Sequence, residues 1–69
     1  MLKLSYKNLF VQLADKEITK VDFRKNVGIS QGTMTKINQG EPVSFATIIS
    51  ICEYLNCDIG DVISVKEQE

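Results

Sequence analysis

Gly28 stands between two stretches that both read as helix, and that juncture constrains the chain more than any other feature. Upstream, Thr19 is a favourable N-cap, because its hydroxyl can accept a backbone N–H of the first turn. Asp22 follows three residues later, close to the capping-box pattern and suited to the positive end of a helix. Val21, Phe23 and Val27 supply the apolar contacts of this segment. Gly28 ends it, since glycine enters the left-handed conformation of a helix terminus without a steric penalty. Downstream, Ser30 is a second N-cap, residues 31–39 follow as helix, and Gly40 closes them. The connection is only Val27-Gly28-Ile29, which predicts two helices that cross steeply at a tight turn.

The remaining segments supply a core for that unit. Residues 5–15 read as a first helix, with Leu2, Tyr6, Leu9, Phe10 and Leu13 at three-four spacing on one face. Ser44 opens a segment reaching Tyr54 or Leu55. Its dense apolar set (Phe45, Ile48, Ile49, Ile51, Cys52, Leu55) predicts the central, most buried helix. Asp58 caps a short last helix with Ile59, Val62 and Ile63 inward. Only residues 62–65 have any strand character. The expectation is an all-α, five-helix bundle over residues 1–65, with residues 66–69 as a polar, frayed tail. Phe10, Phe23 and Phe45 are expected in the core, and Tyr6 and Tyr54 half-buried or at an interface. At 69 residues, such a bundle hides only about 60% of its unfolded surface.

Composition excludes several functions. There is no histidine, so the commonest general base and metal ligand is missing. Cys52 and Cys57 cannot complete a four-ligand zinc site. Their Cys-x4-Cys spacing is not the Cys-x-x-Cys redox motif, and the expectation is two small buried hydrophobes. Thr47, Ser50 and Ser64 have no base to activate them as nucleophiles. No metal, phosphate-loop or cofactor signature is visible, and the expectation is a protein that is not an enzyme. No apolar run approaches the roughly 20 residues of a membrane span. Residues 1–5 lack a signal peptide's apolar stretch, so a cytoplasmic setting is expected.

Charge is unevenly distributed. Residues 1–40 carry seven bases against three acids, a net +4, while residues 41–69 carry one base against six acids, a net −5. One basic face and one acidic face are expected. Within residues 31–39, Met34 and Ile37 turn inward and Ile29 packs from the turn. The opposite face holds Gln31, Gly32, Thr35, Lys36 and Gln39: hydrogen-bonding groups, one cation and no acid.

Gly28-Ile29-Ser30-Gln31, Thr33-Met34, Lys36-Ile37 and Gly40, in register, resemble the Cro and phage-repressor type, the XRE-like family of helix-turn-helix domains. The resemblance extends over roughly residues 4–65. It implies the phage-repressor-like fold, with the helix-turn-helix at helices 2 and 3. It implies double-stranded DNA as partner, a transcriptional regulator acting as a repressor, and residues 31–39 as a recognition helix in the major groove. Gln31, Gly32 and Lys36 then occupy base-reading positions, where Gln suits an adenine edge and Lys suits guanine O6 and N7. Thr33 and Thr35 would bond phosphate or touch a thymine methyl. Thr19 and Lys20, at the start of helix 2, would meet the DNA backbone. Asn38 and Gln39 would do so at the other end, and Ser30 at the helix 3 cap completes the candidate set. Lys7 is a further candidate, and Arg24 and Lys25 contribute field. Lys20 opposes the helix dipole, which favours an anionic partner. Glu41 and Pro42 depart from the family, which often has a base after helix 3.

A homodimer through the apolar residues near helices 4 and 5, Ile63 and Val65 among them, would place two recognition helices about 34 Å apart, one turn of duplex. The other reading is a protein-interaction or antitoxin-like module on the same fold with weak DNA binding, which the acidic half and Glu41 favour.

Overall fold

Hydroxyl groups start three of the four α-helices. The computed structural model describes residues 2–67. In it, Thr19 accepts the Asp22 N–H at 3.1 Å and begins α2 (Lys20–Val27). Ser30 accepts the Thr33 N–H at 3.1 Å and begins α3 (Gln31–Asn38). Ser44 accepts the Thr47 N–H at 3.2 Å and begins α4 (Phe45–Leu55). Each bond satisfies a donor that the helix itself leaves orphaned. The first helix, α1 (Lys7–Asp15), starts two residues later than expected, with the Lys7 N–H donating to Ser5 Oγ at 3.2 Å.

Left-handed residues close the helices. Gly28 closes α2 at φ 84°. At the end of α3, Gly40 adopts φ 74°, Glu41 N–H reaches the Lys36 carbonyl at 2.8 Å and Gly40 N–H reaches Ile37 at 3.1 Å. That pair of bonds is a Schellman closure. The same closure ends α1 with Glu17 at φ 57° and α4 with Asn56 at φ 53°, both without glycine.

The ends of the described chain correct the five-helix expectation. A strand β1 (Leu2–Ser5) pairs antiparallel with β2 (Ser64–Glu67), matching Leu2 with Glu67, Lys3 with Lys66, Leu4 with Val65 and Ser5 with Ser64. The described residues hold four α-helices and one 3-10 turn, Ile59–Asp61. Asp58 accepts the Ile59 N–H at 2.7 Å, and Asp61 accepts the Asp58 N–H at 3.2 Å. This capping box closes within one turn, Val62 is still in the helical region, and the β-branched Ile63 and Val65 beyond it favour extended backbone. Lys66 and Glu67, expected in a frayed tail, are therefore held in the ribbon. Gln68 and Glu69 lie outside the described residues. Leu2, expected on a helix face, is an exposed strand residue.

The core gathers Tyr6 from just before α1, Leu9 and Leu13 from α1, Phe23 from α2, Ile29 from the turn, Met34 and Ile37 from α3, Ile48, Ile51 and Leu55 from α4, and Val62. Phe23 is fully buried at its centre, which contributes roughly 1.5–3 kcal/mol. Phe45 is not in the core: it is 74% exposed, and Ile49 on the next turn is 57% exposed. Ile48, Ile51 and Leu55 form the inward stripe of α4, so Phe45 and Ile49 lie on a second apolar stripe. Ile59 and Val21, also expected inward, are exposed. Cys52 and Cys57 are half-buried free thiols.

The two left-handed sites make opposite predictions. Gly28→Ala meets no atom within 4 Å, so its cost is the backbone strain alone, roughly 1–2 kcal/mol. Glu17→Gly relieves that strain and gains about 0.5–1 kcal/mol after the glycine's extra chain entropy. Urea unfolding of the two variants checks both signs.

Candidate nucleic-acid interface

Three residues, Gly28, Ile29 and Ser30, connect α2 to α3. The N–H groups of Gly28 and Ile29 both donate to the Arg24 carbonyl, at 2.9 and 3.2 Å, so the turn is folded back on the helix it leaves. Ile29 then enters the core beside Met34 and Ile37. Those three side chains anchor α3 from beneath, and Gln31, Gly32, Thr35, Lys36, Asn38 and Gln39 remain exposed.

The far end of α3 is tied as well. The buried Tyr6 hydroxyl, at the start of α1, donates to the Glu41 carbonyl at 2.6 Å. It reaches across 35 residues of chain to the loop that follows the Schellman closure. At that closure, a Cβ on Gly40 would sit 3.6 Å from the Leu4 carbonyl.

The expected contact residues divide into two groups. Thr19 and Ser30 are occupied as caps. Ser30 Oγ also donates to Thr33 Oγ1 at 3.0 Å, so the Thr33 hydroxyl serves the same frame. Thr35 donates its hydroxyl to the Gln31 carbonyl at 3.0 Å, leaving its methyl and a lone pair for an outside partner. Among the described residues, the side chains of Gln31, Lys36, Asn38 and Gln39 make no internal hydrogen bond. They and the bare backbone at Gly32 are the groups available to a ligand.

Lys20 has a partner that its place at a helix N-terminus did not suggest. Its Nζ lies 4.8 Å from the centroid of the Phe10 ring. An exposed cation–π contact of this kind contributes about 0.5–1 kcal/mol, so the lysine does not require an anion to offset the helix dipole. Lys7 lines one groove with Asn38 and Gln39, which brings α1 to the end of α3. Lys3 and Lys66, opposed across the ribbon, line the same groove. The sequence reading missed both, because only strand pairing brings the two ends of the chain there.

Residues 8–68 match the family model described as the Cro/C1-type HTH DNA-binding domain. The chain belongs to that family. The fold is also similar to that in the crystal structure of the transcriptional regulator VanUg, Form II. The TM-score is 0.93 and the identity 39%, over 97% of this chain and 89% of that one. No curated protein matches the chain significantly. Among the described residues no helix is long and apolar enough to cross a membrane.

In this Cro/C1-type domain the Tyr6 anchor has a pH signature. Burial raises its pKa above 10.0 by disfavouring the phenolate. The folded state then keeps the proton where the unfolded state releases it, so this contribution is full below pH 10 and is lost as pH rises beyond it. Tyr6→Phe should lose about 1 kcal/mol at neutral pH with the hydrogen bond. The variant should also show a smaller loss of stability above pH 10 than the parent, read by denaturant melts across that range.

Proposed function

We propose that the chain is a sequence-specific DNA-binding transcriptional regulator, acting as a repressor, whose α3 enters the major groove. The observation that carries this reading is the exposed, acid-free face of α3, held at both ends and from below. A major groove about 12 Å wide admits one helix, and a helix that reads base edges has to arrive with its angle already set. Gln31, Gly32 and Lys36 are the base-reading positions, with Thr35 against a thymine methyl. Thr19, Lys20, Ser30, Thr33, Asn38 and Gln39 meet the sugar–phosphate backbone. Thr19 and Ser30 do so through the backbone N–H groups of the turns they cap. Occupying a promoter is enough to repress it, so no second activity is required.

The charge distribution supports the same orientation. The turn, α2 and α3 all belong to the half with net +4. Glu41 beside the interface weakens the phosphate grip, so the salt dependence is shallow.

Two copies on a two-fold axis would match a duplex with half-sites about one turn apart. Phe45, Ile49 and Ile59 suit that contact better than Ile63, which is half-buried against the core. Ile49 and Ile59 line one shallow groove, and Glu53 is the single charged residue of α4. The same apolar face, flanked by Glu53 and Asp58, favours the second reading, an antitoxin-like or other protein-interaction module.

Selection from a random duplex library, followed by binding of the Gln31→Ala, Lys36→Ala double variant, tests the proposal. The parent should enrich a motif with two half-sites. The double variant should lose roughly 1–3 kcal/mol of discrimination for each base contact removed. Its stability should stay within about 0.5 kcal/mol, because both side chains are exposed. No enrichment at low salt would move the function to the protein-interaction module.

A further inference from the structure

Cys52 and Cys57 have no part in the interface, yet the fold brings them together. Cys52 lies in the last turn of α4 and Cys57 just beyond it. The Schellman closure bonds the Cys57 N–H to the Cys52 carbonyl at 3.0 Å. A Cα–C=O···H–N–Cα path of that length holds the two Cα atoms within about 7 Å, where a disulfide can form. Side chains at these two positions of a Schellman motif characteristically meet. The two thiols are near enough here for Cys57 to raise the Cys52 pKa. Both are half-buried and line a shallow groove with Ile49, Asn56 and Ile59, which is open to a molecule as small as a peroxide.

We propose that Cys52 and Cys57 are a peroxide-oxidisable dithiol that closes to an internal, reducible disulfide. Gln12 Nε2 donates to Cys57 Sγ at 3.6 Å, which marks Cys57 as the sulfur that attacks the peroxide first. Its thiolate attacks one oxygen of hydrogen peroxide, the O–O bond breaks, and hydroxide leaves with the electron pair. The product is a sulfenic acid at Cys57. The Cys52 sulfur then attacks the Cys57 sulfur, the S–O bond breaks, and the oxygen leaves as water with the Cys52 proton. Two thiols and one peroxide give one disulfide and two waters. Burial and the neighbouring Cys57 raise the Cys52 pKa, which suits the resolving thiol rather than the first nucleophile.

The bridge has a structural consequence. Gln12 also donates to the Asp61 carbonyl at 2.6 Å, and Asn8 donates to the Gly60 carbonyl at 3.1 Å. Oxidation takes the Cys57 sulfur into a covalent clamp on the end of α4, beside the 3-10 turn that leads into β2.

The test uses the reduced full chain at high dilution with a small excess of hydrogen peroxide, followed by alkylation, trypsin and mass spectrometry. Both cysteines lie in one tryptic peptide, residues 37–66. That peptide should lose both alkylatable thiols together and about 2 Da in mass, and dithiothreitol should restore them. In the Cys52→Ser variant, dimedone should trap a sulfenic acid at Cys57. Two thiols that stay alkylatable while free glutathione is consumed would overturn the proposal. So would disulfide-linked dimers as the main product, or sulfinic acid at Cys57 in the parent with no internal bridge.

Discussion

The placement of α3 depends on one backbone conformation, the left-handed Gly28. That residue turns the chain out of α2 within a single peptide, so Ile29 arrives at the core and Ser30 at a capping position one residue later. A longer or looser connection would leave the two helices free to slide. Here the angle between them is set by covalent geometry first and by packing second. Ile29, Met34 and Ile37 convert the turn's direction into a fixed inner face, and the outer face follows from the helical period.

The chain ends complete the support. β1 pairs with β2, and the first residue beyond β1 is Tyr6, whose hydroxyl ties down the loop after α3. A Cβ at Gly40 would meet the Leu4 carbonyl at an ordinary 3.6 Å, so the ribbon lies against the α3 closure and it is the positive φ that favours glycine there. α3 is thus clamped by elements from opposite ends of the sequence. In a domain this small, that arrangement gives a short helix the rigidity its own eight residues cannot supply.

Much of this was legible in the residues because the determining chemistry is local. Thr19, Ser30 and Ser44 announce helix starts through hydroxyls that act within three residues of themselves, and each is a cap in the structure. Gly28 and Gly40 announce ends by the same local logic. The inward pair Met34 and Ile37, and the polar face opposite, follow from helical spacing alone. What was not legible depends on distant partners. The β1–β2 pairing joins segments at the two ends of the chain, and neither has enough alternation to announce itself. The exposure of Phe45 depends on which of two apolar stripes on α4 the other helices cover. The contact of Lys20 with Phe10 depends on how α1 lies beside α2. The final helix is a single 3-10 turn because the chain from Ser64 onward is taken up in pairing with β1.

The central claim is that a preset α3 face reads base edges. Backbone amide NMR during titration with a library-selected duplex tests it most directly. The account predicts the largest shifts at Gln31, Gly32, Thr35 and Lys36, smaller ones at Thr19, Lys20, Asn38 and Gln39, and unchanged signals through the core of α4. Shifts concentrated on Phe45, Ile49 and Ile59, with α3 silent, would contradict it.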